Sequence, residues 1–292
     1  MKKLTKESFL RARYYLMNHG RDIEQALFRF YFEDGSKEEV ISVLDFYQGE
    51  NGGFRNMGEG GSLITNGIDT TMAFQYLTEI GASAKDSIVQ KGIHYFIDTY
   101  DHVLKGWHAW PGRTSTSWVD NPNAEIVGYL YEYRELVPDE FLHEVTEQAL
   151  SCMSTIHTTD EPHQFYFLSA LCHFRLAERI DKPYKSRILK QLEVDIEDII
   201  ETDGSKWSTT YCAKPFFFAH SPSSPLYHSI KPYVIQSLEN EVMTQGVEGN
   251  FILNWNVDEA GDRVWKSIWT LDVLGALYLH GMIEEMEYVE VK

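Results

Sequence analysis

The chain has 292 residues, 43% of them hydrophobic and 14% aromatic, enough apolar side chain to bury a large core as a single domain over 1–292. A formal net charge of -18, with no basic stripe interleaved with aromatic rings, excludes nucleic acid as a partner. No run approaches the ~18 apolar residues a membrane span needs, and Met1-Lys-Lys-Leu-Thr-Lys-Glu7 lacks a signal-peptide core, so the expectation is a cytoplasmic protein with no membrane span.

In chain order, apolar periodicity predicts helices over 5–18, 21–33 and 37–49. The third ends in Gln48-Gly-Glu-Asn51-Gly52-Gly53-Phe54. Helices follow over 69–80 and 85–100; after the loop Gly106-Trp107-His108-Ala-Trp110 come 124–135, 139–156, 163–180, 184–201, 208–214, 230–245 and 266–281. Between the last two lies Gln245-Gly-Val-Glu248-Gly249-Asn250-Phe251, with the spacing of the first turn, Q-x-x-[N/E]-G-x-aromatic. In each copy the Gln ends an amphipathic stretch, the Gly supplies a backbone conformation other residues resist, and the ring can pack on the next helix. The pair marks an internal repeat of helical hairpins. Cys152, Cys172 and Cys212 are odd in number and sit among helix-interior residues, which reads as reduced and structural.

Strand signals are lacking, so the fold class is all-α, with twelve helices in six hairpins. The second member of a pair tends to be richer in apolar and small residues, as in Ile126-Val-Gly-Tyr-Leu130; the first is more often amphipathic, as in Tyr184-Lys-Ser-Arg-Ile-Leu-Lys-Gln-Leu192. Alternating half-buried and fully buried helices are what a closed double ring demands, which points to an (α/α)6 toroid. An open superhelix of similar hairpins is the alternative.

The two turns, QxxNGGF and QxxEGNF, resemble the QW-type repeats of the terpenoid cyclase and protein prenyltransferase superfamily. So do Asp69-Thr70-Thr71-Met-Ala-Phe-Gln-Tyr-Leu77 after the first turn and Trp265-Lys-Ser-Ile-Trp269-Thr270-Leu-Asp-Val-Leu274 after the last. A broad group of bacterial prenyltransferase-like toroid proteins is the nearest likeness, on Asn18-His-Gly20-Arg21-Asp-Ile-Glu24, Gly106-Trp107 and Asn121-Pro122-Asn123-Ala124-Glu125. The resemblance implies the toroid and an isoprenoid-type ligand. Squalene-hopene-type cyclases place a D-x-D-D-T motif where this chain has Asn66-Gly67-Ile68-Asp69-Thr70, so only the last acid remains and an Ile stands at the proton donor. A lone carboxyl is a poor alkene protonator without a polarising partner, and Asp69 is better suited to helix capping. The Asp, Cys and His that hold zinc in prenyltransferases have no closely paired counterpart among Asp203, Cys212, His220 and His228, and DDxxD is absent, so no metal or other cofactor is expected.

What remains is a concentration of aromatic and polar residues at the starts of the predicted inner helices: Trp107, His108, Trp110, Trp118 and Asn123, then Trp207, Tyr211, Trp255, Trp265 and Trp269. His163, Arg55, Arg113, Lys206, Arg263 and Lys266 lie near those starts, where helix N-termini add partial positive charge. Such residues suit a central aromatic-lined cavity for a small apolar or amphipathic ligand, with Asp69 and Glu125 as acid/base candidates. A carbohydrate-active enzyme with carboxylates from Glu125 and Asp120, or Asp258 and Asp262, is the second reading. A non-catalytic ligand-binding ring is the third.

Overall fold

The computed structural model describes residues 2–58, 62–110, 112, 118–153 and 163–285, except the side chains of 163–166 and 260. Among these residues there are eleven α-helices and no strand; the only β-type pairings are isolated bridges. The helices are α1 (Lys6–His19), α2 (Asp22–Phe32), α3 (Lys37–Asp45), α4 (Gly67–Glu79), α5 (Ser87–Asp98), α6 (Asp120–Glu132), α7 (Asp139–Met153), α8 (His163–Arg179), α9 (Tyr184–Ile199), α10 (Tyr227–Thr244) and α11 (Glu259–Leu279). Short 3-10 turns occupy Arg134–Leu136 and Pro215–Phe218. The all-α expectation therefore holds. The end of the helix expected over 139–156 falls partly outside the described residues.

One expected helix does not form. Residues 208–214 continue a turn and then run extended into the Pro215 3-10 turn. The residue before a proline is pushed away from helical backbone, and Lys214 sits at φ -70 and ψ 136. Upstream, the Asp203 carboxylate accepts from the Ser205 amide at 3.0 Å and its hydroxyl at 2.7 Å, a local turn that competes with a helix. Conversely α11 starts at Glu259 rather than 266, because Asp258 caps it by accepting from the Gly261 amide at 2.6 Å.

The chain forms two compact units. One is built from the chain up to Val43 together with the chain from Asp195 onward. Here α1, α2 and α11 pack on one another, and α10 packs on α11 and the Pro215 turn. Phe9, Phe28 and Phe32 meet with ring centroids 5.1–5.8 Å apart. The two ends of this unit are clasped: the Leu4 amide donates to Met282 O at 2.7 Å and the Glu284 amide to Leu4 O at 3.0 Å. The other unit is Leu44–Val194, centred on α6 against α8, with α4 and α7 alongside and α5 on α4. Its core rings are Phe54, Phe74, Phe96 and Tyr129. Each such ring contributes about 1.5–3 kcal/mol by leaving water.

The two Q-x-x-x-G turns repeat the same core bonds, one in each unit. Gln48 Nε2 donates to Gly52 O and to Ile88 O, both at 2.9 Å; Gln245 Nε2 donates to Gly249 O and Ser8 O, also at 2.9 Å. Gly52 (φ 87) and Gly249 (φ 100) hold left-handed backbone, and a Cβ at either would strike a carbonyl oxygen, of Lys91 at 2.2 Å or of Arg11 at 2.3 Å. Phe54 and Phe251 are fully buried, and their amides donate to Thr70 Oγ1 (2.9 Å) and Thr270 Oγ1 (3.1 Å). The first turn rests on α5, two helices further along. The second rests on α1, the first helix of the chain, which thus stands after α11 as α5 stands after α4.

Candidate functional site

In the unit containing α11, the Pro215 turn, the loop after Phe251 and α11 bring four rings together. Trp265 and Trp269 are i and i+4 on α11 and so share a helix face. Trp255 packs edge to face on both, at 5.6 Å and 80° and at 5.9 Å and 84°, and Tyr211 lies 5.9 Å from Trp255. Phe216 and Phe217 also pack on Trp269, with ring centroids at 5.7 Å and 5.5 Å. Tyr211, Trp255 and Trp265 are half-buried, whereas Trp269 is buried and forms the floor.

Under that floor lies an ion pair that sequence reasoning missed. Lys214 Nζ bonds Glu241 Oε1 with both side chains almost wholly out of water, and Lys214 sits 4.7 Å from the centre of the Trp269 ring. Burial pushes the Glu241 carboxyl above its ordinary range, and Lys214 opposes that. The Trp269 indole N–H also favours the ionised Glu241 carboxylate, although it forms no hydrogen bond of full strength. Cys212, raised by burial, takes a contact from Asn254 Nδ2 at 3.6 Å. The residues that meet here are far apart in the chain, and the sole prior signal was the density of Trp. Trp207 stands apart from the group: it is buried and its Nε1 ties down Glu201 O at 2.7 Å.

In the unit Leu44–Val194 the candidate residues have mostly structural duties. Trp107 is buried, donates Nε1 to Phe96 O at 2.6 Å, and meets Phe96, Tyr100 and Phe141 edge-on. Asn123 staples this loop to α6, accepting from the Trp107 amide at 2.5 Å and donating to Trp107 O and Val119 O. His108 pairs with Asp101 at 3.1 Å, Trp118 Nε1 donates to Asp120 at 2.7 Å, and Trp110 is half-buried. Asp120 also lies 3.0 Å from the buried His173.

Both acid/base candidates are fully engaged. Glu125 is buried and receives Arg175 at 2.8 Å, Gln75 at 2.9 Å and the Tyr129 hydroxyl at 2.6 Å. The Tyr129 hydroxyl is driven well above its usual range by burial and by Glu125. Asp69 is not the helix cap expected for it. Asn66 caps α4, accepting from the Asp69 amide at 2.8 Å. The Asp69 carboxylate takes Asn66 Nδ2 on one oxygen at 2.8 Å and the Gly58 amide on the other at 3.2 Å. Burial raises its pKa, against hydrogen bonds from Asn66 and the backbone of residues 56–58. Asp69 thus pins the loop before α4 to the helix start. The i, i+4 spacing of Glu125 and Tyr129 was readable in the sequence; Arg175 and Gln75, fifty residues away on each side, were not.

Asp258 is spent on its cap, and Asp262 is paired with Lys266 at 2.7 Å. Lys206 is paired with Glu201 at 3.0 Å. Arg113 and the side chain of His163 lie outside the described residues. Among the described residues no group of three or more His, Cys, Asp or Glu is placed to hold a metal ion, and no helix is long and apolar enough to cross a membrane. No protein-family model matches the sequence, and no curated protein is similar to it.

Proposed function

We propose that the chain is a ligand-binding toroid of the terpenoid cyclase and prenyltransferase type, one ring over 1–292, that holds an isoprenoid-like apolar or amphipathic molecule on the rings of Tyr211, Trp255, Trp265 and Trp269. The observation that carries the reading is the assembly of these rings from three separate segments, with three of them half open to solvent. Mutually perpendicular rings offer π faces and apolar edges to a branched hydrocarbon, and would stabilise cationic character in it. Supporting the ring is the substitution of α1 for α5 beneath the second turn, since an open stack has no reason to place its first helix after its last.

The role is binding rather than acid chemistry. Asp69 and Glu125 are buried and spend their oxygens on Asn66, Gly58, Arg175, Gln75 and Tyr129, so both are occupied within the protein rather than turned to a substrate. The same applies to the glycosidase reading, whose acids Asp120, Asp258 and Asp262 are likewise engaged. The test is titration with farnesol, read by tryptophan fluorescence. Trp255→Ala, at the centre of the cluster, should weaken binding about tenfold, or about 1.4 kcal/mol. Equal affinity in wild type and variant removes the reading.

A further inference from the structure

A second surface, separate from the aromatic cluster and independent of the reading given to it, lies beside the second Q-x-x-x-G turn. A groove of about 480 Å³ runs along α1 from Glu7 to His19 and is closed on one side by Val247 and Glu248. Its apolar lining is open to water: Leu10 is 49%, Tyr14 66% and Val247 94% exposed. The repeat supplies an internal control on what the turn itself requires. Because Gln245 bonds Ser8 O as Gln48 bonds Ile88 O, and Gly249 abuts Arg11 O as Gly52 abuts Lys91 O, the two copies align residue by residue. Leu10 then corresponds to Gln90, Tyr14 to His94 and Val247 to Glu50. The first copy keeps the Gln Nε2 bonds and the Phe amide bond of the turn with polar side chains at all three places. The apolar surface of the second copy is therefore not needed to build the turn, and exposed apolar area without a structural reason marks a contact site.

Charge selects the occupant. Arg11 also lines the groove and is exposed, its guanidinium on Ser8 Oγ at 3.0 Å and Gln245 Oε1 at 3.3 Å, and its single positive charge leaves the two carboxylates of Glu7 and Glu248 in excess. Glu7 and Glu248 form no ion pair with any described residue, so the rim presents free carboxylates on a chain that already carries -18. An anionic lipid surface is repelled by such a rim. The groove follows α1 for about 18 Å, three helical turns, which is longer than a compact small molecule needs. We propose that this groove docks a basic amphipathic helix of a partner protein, with its apolar stripe on Leu10, Tyr14 and Val247 and its Lys or Arg side chains against Glu7 and Glu248.

The probe is a fluorescein-labelled helical peptide of ~14 residues made of Leu and Lys in amphipathic order, titrated with the full chain at about 0.15 M salt and read by anisotropy. The triple variant Leu10→Gln, Tyr14→His, Val247→Glu carries the side chains of the first copy. It should keep the wild-type melting temperature, because the positions are exposed, and bind at least tenfold more weakly. It also adds a negative charge, so attraction by net charge alone would leave binding unchanged or tighter, and either result overturns the proposal. Glu7→Gln with Glu248→Gln should cost several-fold and flatten the salt dependence. A peptide with Glu in place of Lys should bind at least tenfold more weakly than the Lys peptide; equal binding, or no saturable binding of the Lys peptide to wild type, also overturns it.

Discussion

Asp69→Asn separates a structural duty from a chemical one, because it keeps the size of the side chain and removes only charge and one acceptor. In the wild type both carboxylate oxygens face donors, Asn66 Nδ2 at 2.8 Å and the Gly58 amide at 3.2 Å, in a fully buried site. The carboxamide accepts on one side only and turns an NH2 toward the other donor. One buried donor is left without an acceptor, which costs about 1–3 kcal/mol against either protonation state of Asp69, because a carboxyl hydroxyl oxygen still accepts where an amide nitrogen cannot. The cost should depend on pH in a definite sense. Burial holds the folded-state pKa of Asp69 above its ordinary value. Between an unfolded value near 4 and that raised value, the folded protein holds a proton the unfolded chain has released. The Asp69 contribution is therefore complete below about pH 4 and is lost as pH rises through the folded pKa. Asn does not titrate, so the stability gap between wild type and variant should be widest in acid and narrow toward neutral pH. Urea unfolding at a series of pH values measures it. A gap below about 0.5 kcal/mol at every pH, or one that widens as pH rises, refutes the pinning role. Turnover lost in a variant of unaltered stability would restore Asp69 to chemistry.

Gln48→Ala and Gln245→Ala each strand one loop carbonyl, Gly52 O or Gly249 O, and remove a second bond to a carbonyl that its own helix already pairs, Ile88 O in α5 or Ser8 O in α1. Each should lower unfolding free energy by about 1–3 kcal/mol, and chemical denaturation should show the Gln245→Ala loss to be at least as large as the Gln48→Ala loss, because Gln245 Oε1 also accepts from Arg11 and Gln48 Oε1 has no such bond. Gly81→Ala, where φ is 68 and nothing lies within 4 Å of a Cβ, should cost only the backbone strain of about 1–2 kcal/mol. Gly52→Ala and Gly249→Ala add collisions with backbone oxygen and should fall well below Gly81→Ala in thermal melts; similar melting temperatures for all three would contradict the packing. Lys214→Met leaves Glu241 buried without its partner, at about 3–5 kcal/mol, and adding Glu241→Leu should recover most of that loss. A double variant no better than the single one in urea would show that the ion pair is not the source of the cost.

The sequence alone determined the helices and the two turns. Helices are local: their apolar period and their caps lie within a few residues of one another, and ten of the twelve expected segments correspond in place to helices with ends moved by a few residues. The failures are also local in origin, a proline and an Asx turn at 208–214 and an unrecognised Asp258 cap that moved the start of α11. Gly52 and Gly249 were readable because left-handed backbone against a neighbouring carbonyl admits no other residue.

Only the tertiary structure decided what the side chains do. Trp107 and Trp207 look in sequence like Trp255 and Trp265, yet the first two are buried with their indole N–H groups bonded to backbone carbonyls, and the second two are half open beside each other. The pairings Gln75 with Glu125, Lys214 with Glu241 and Gln245 with Ser8 join residues remote in sequence. The burial of a charge and the identity of its partner are properties of chain segments brought together by folding, and no local spacing encodes them.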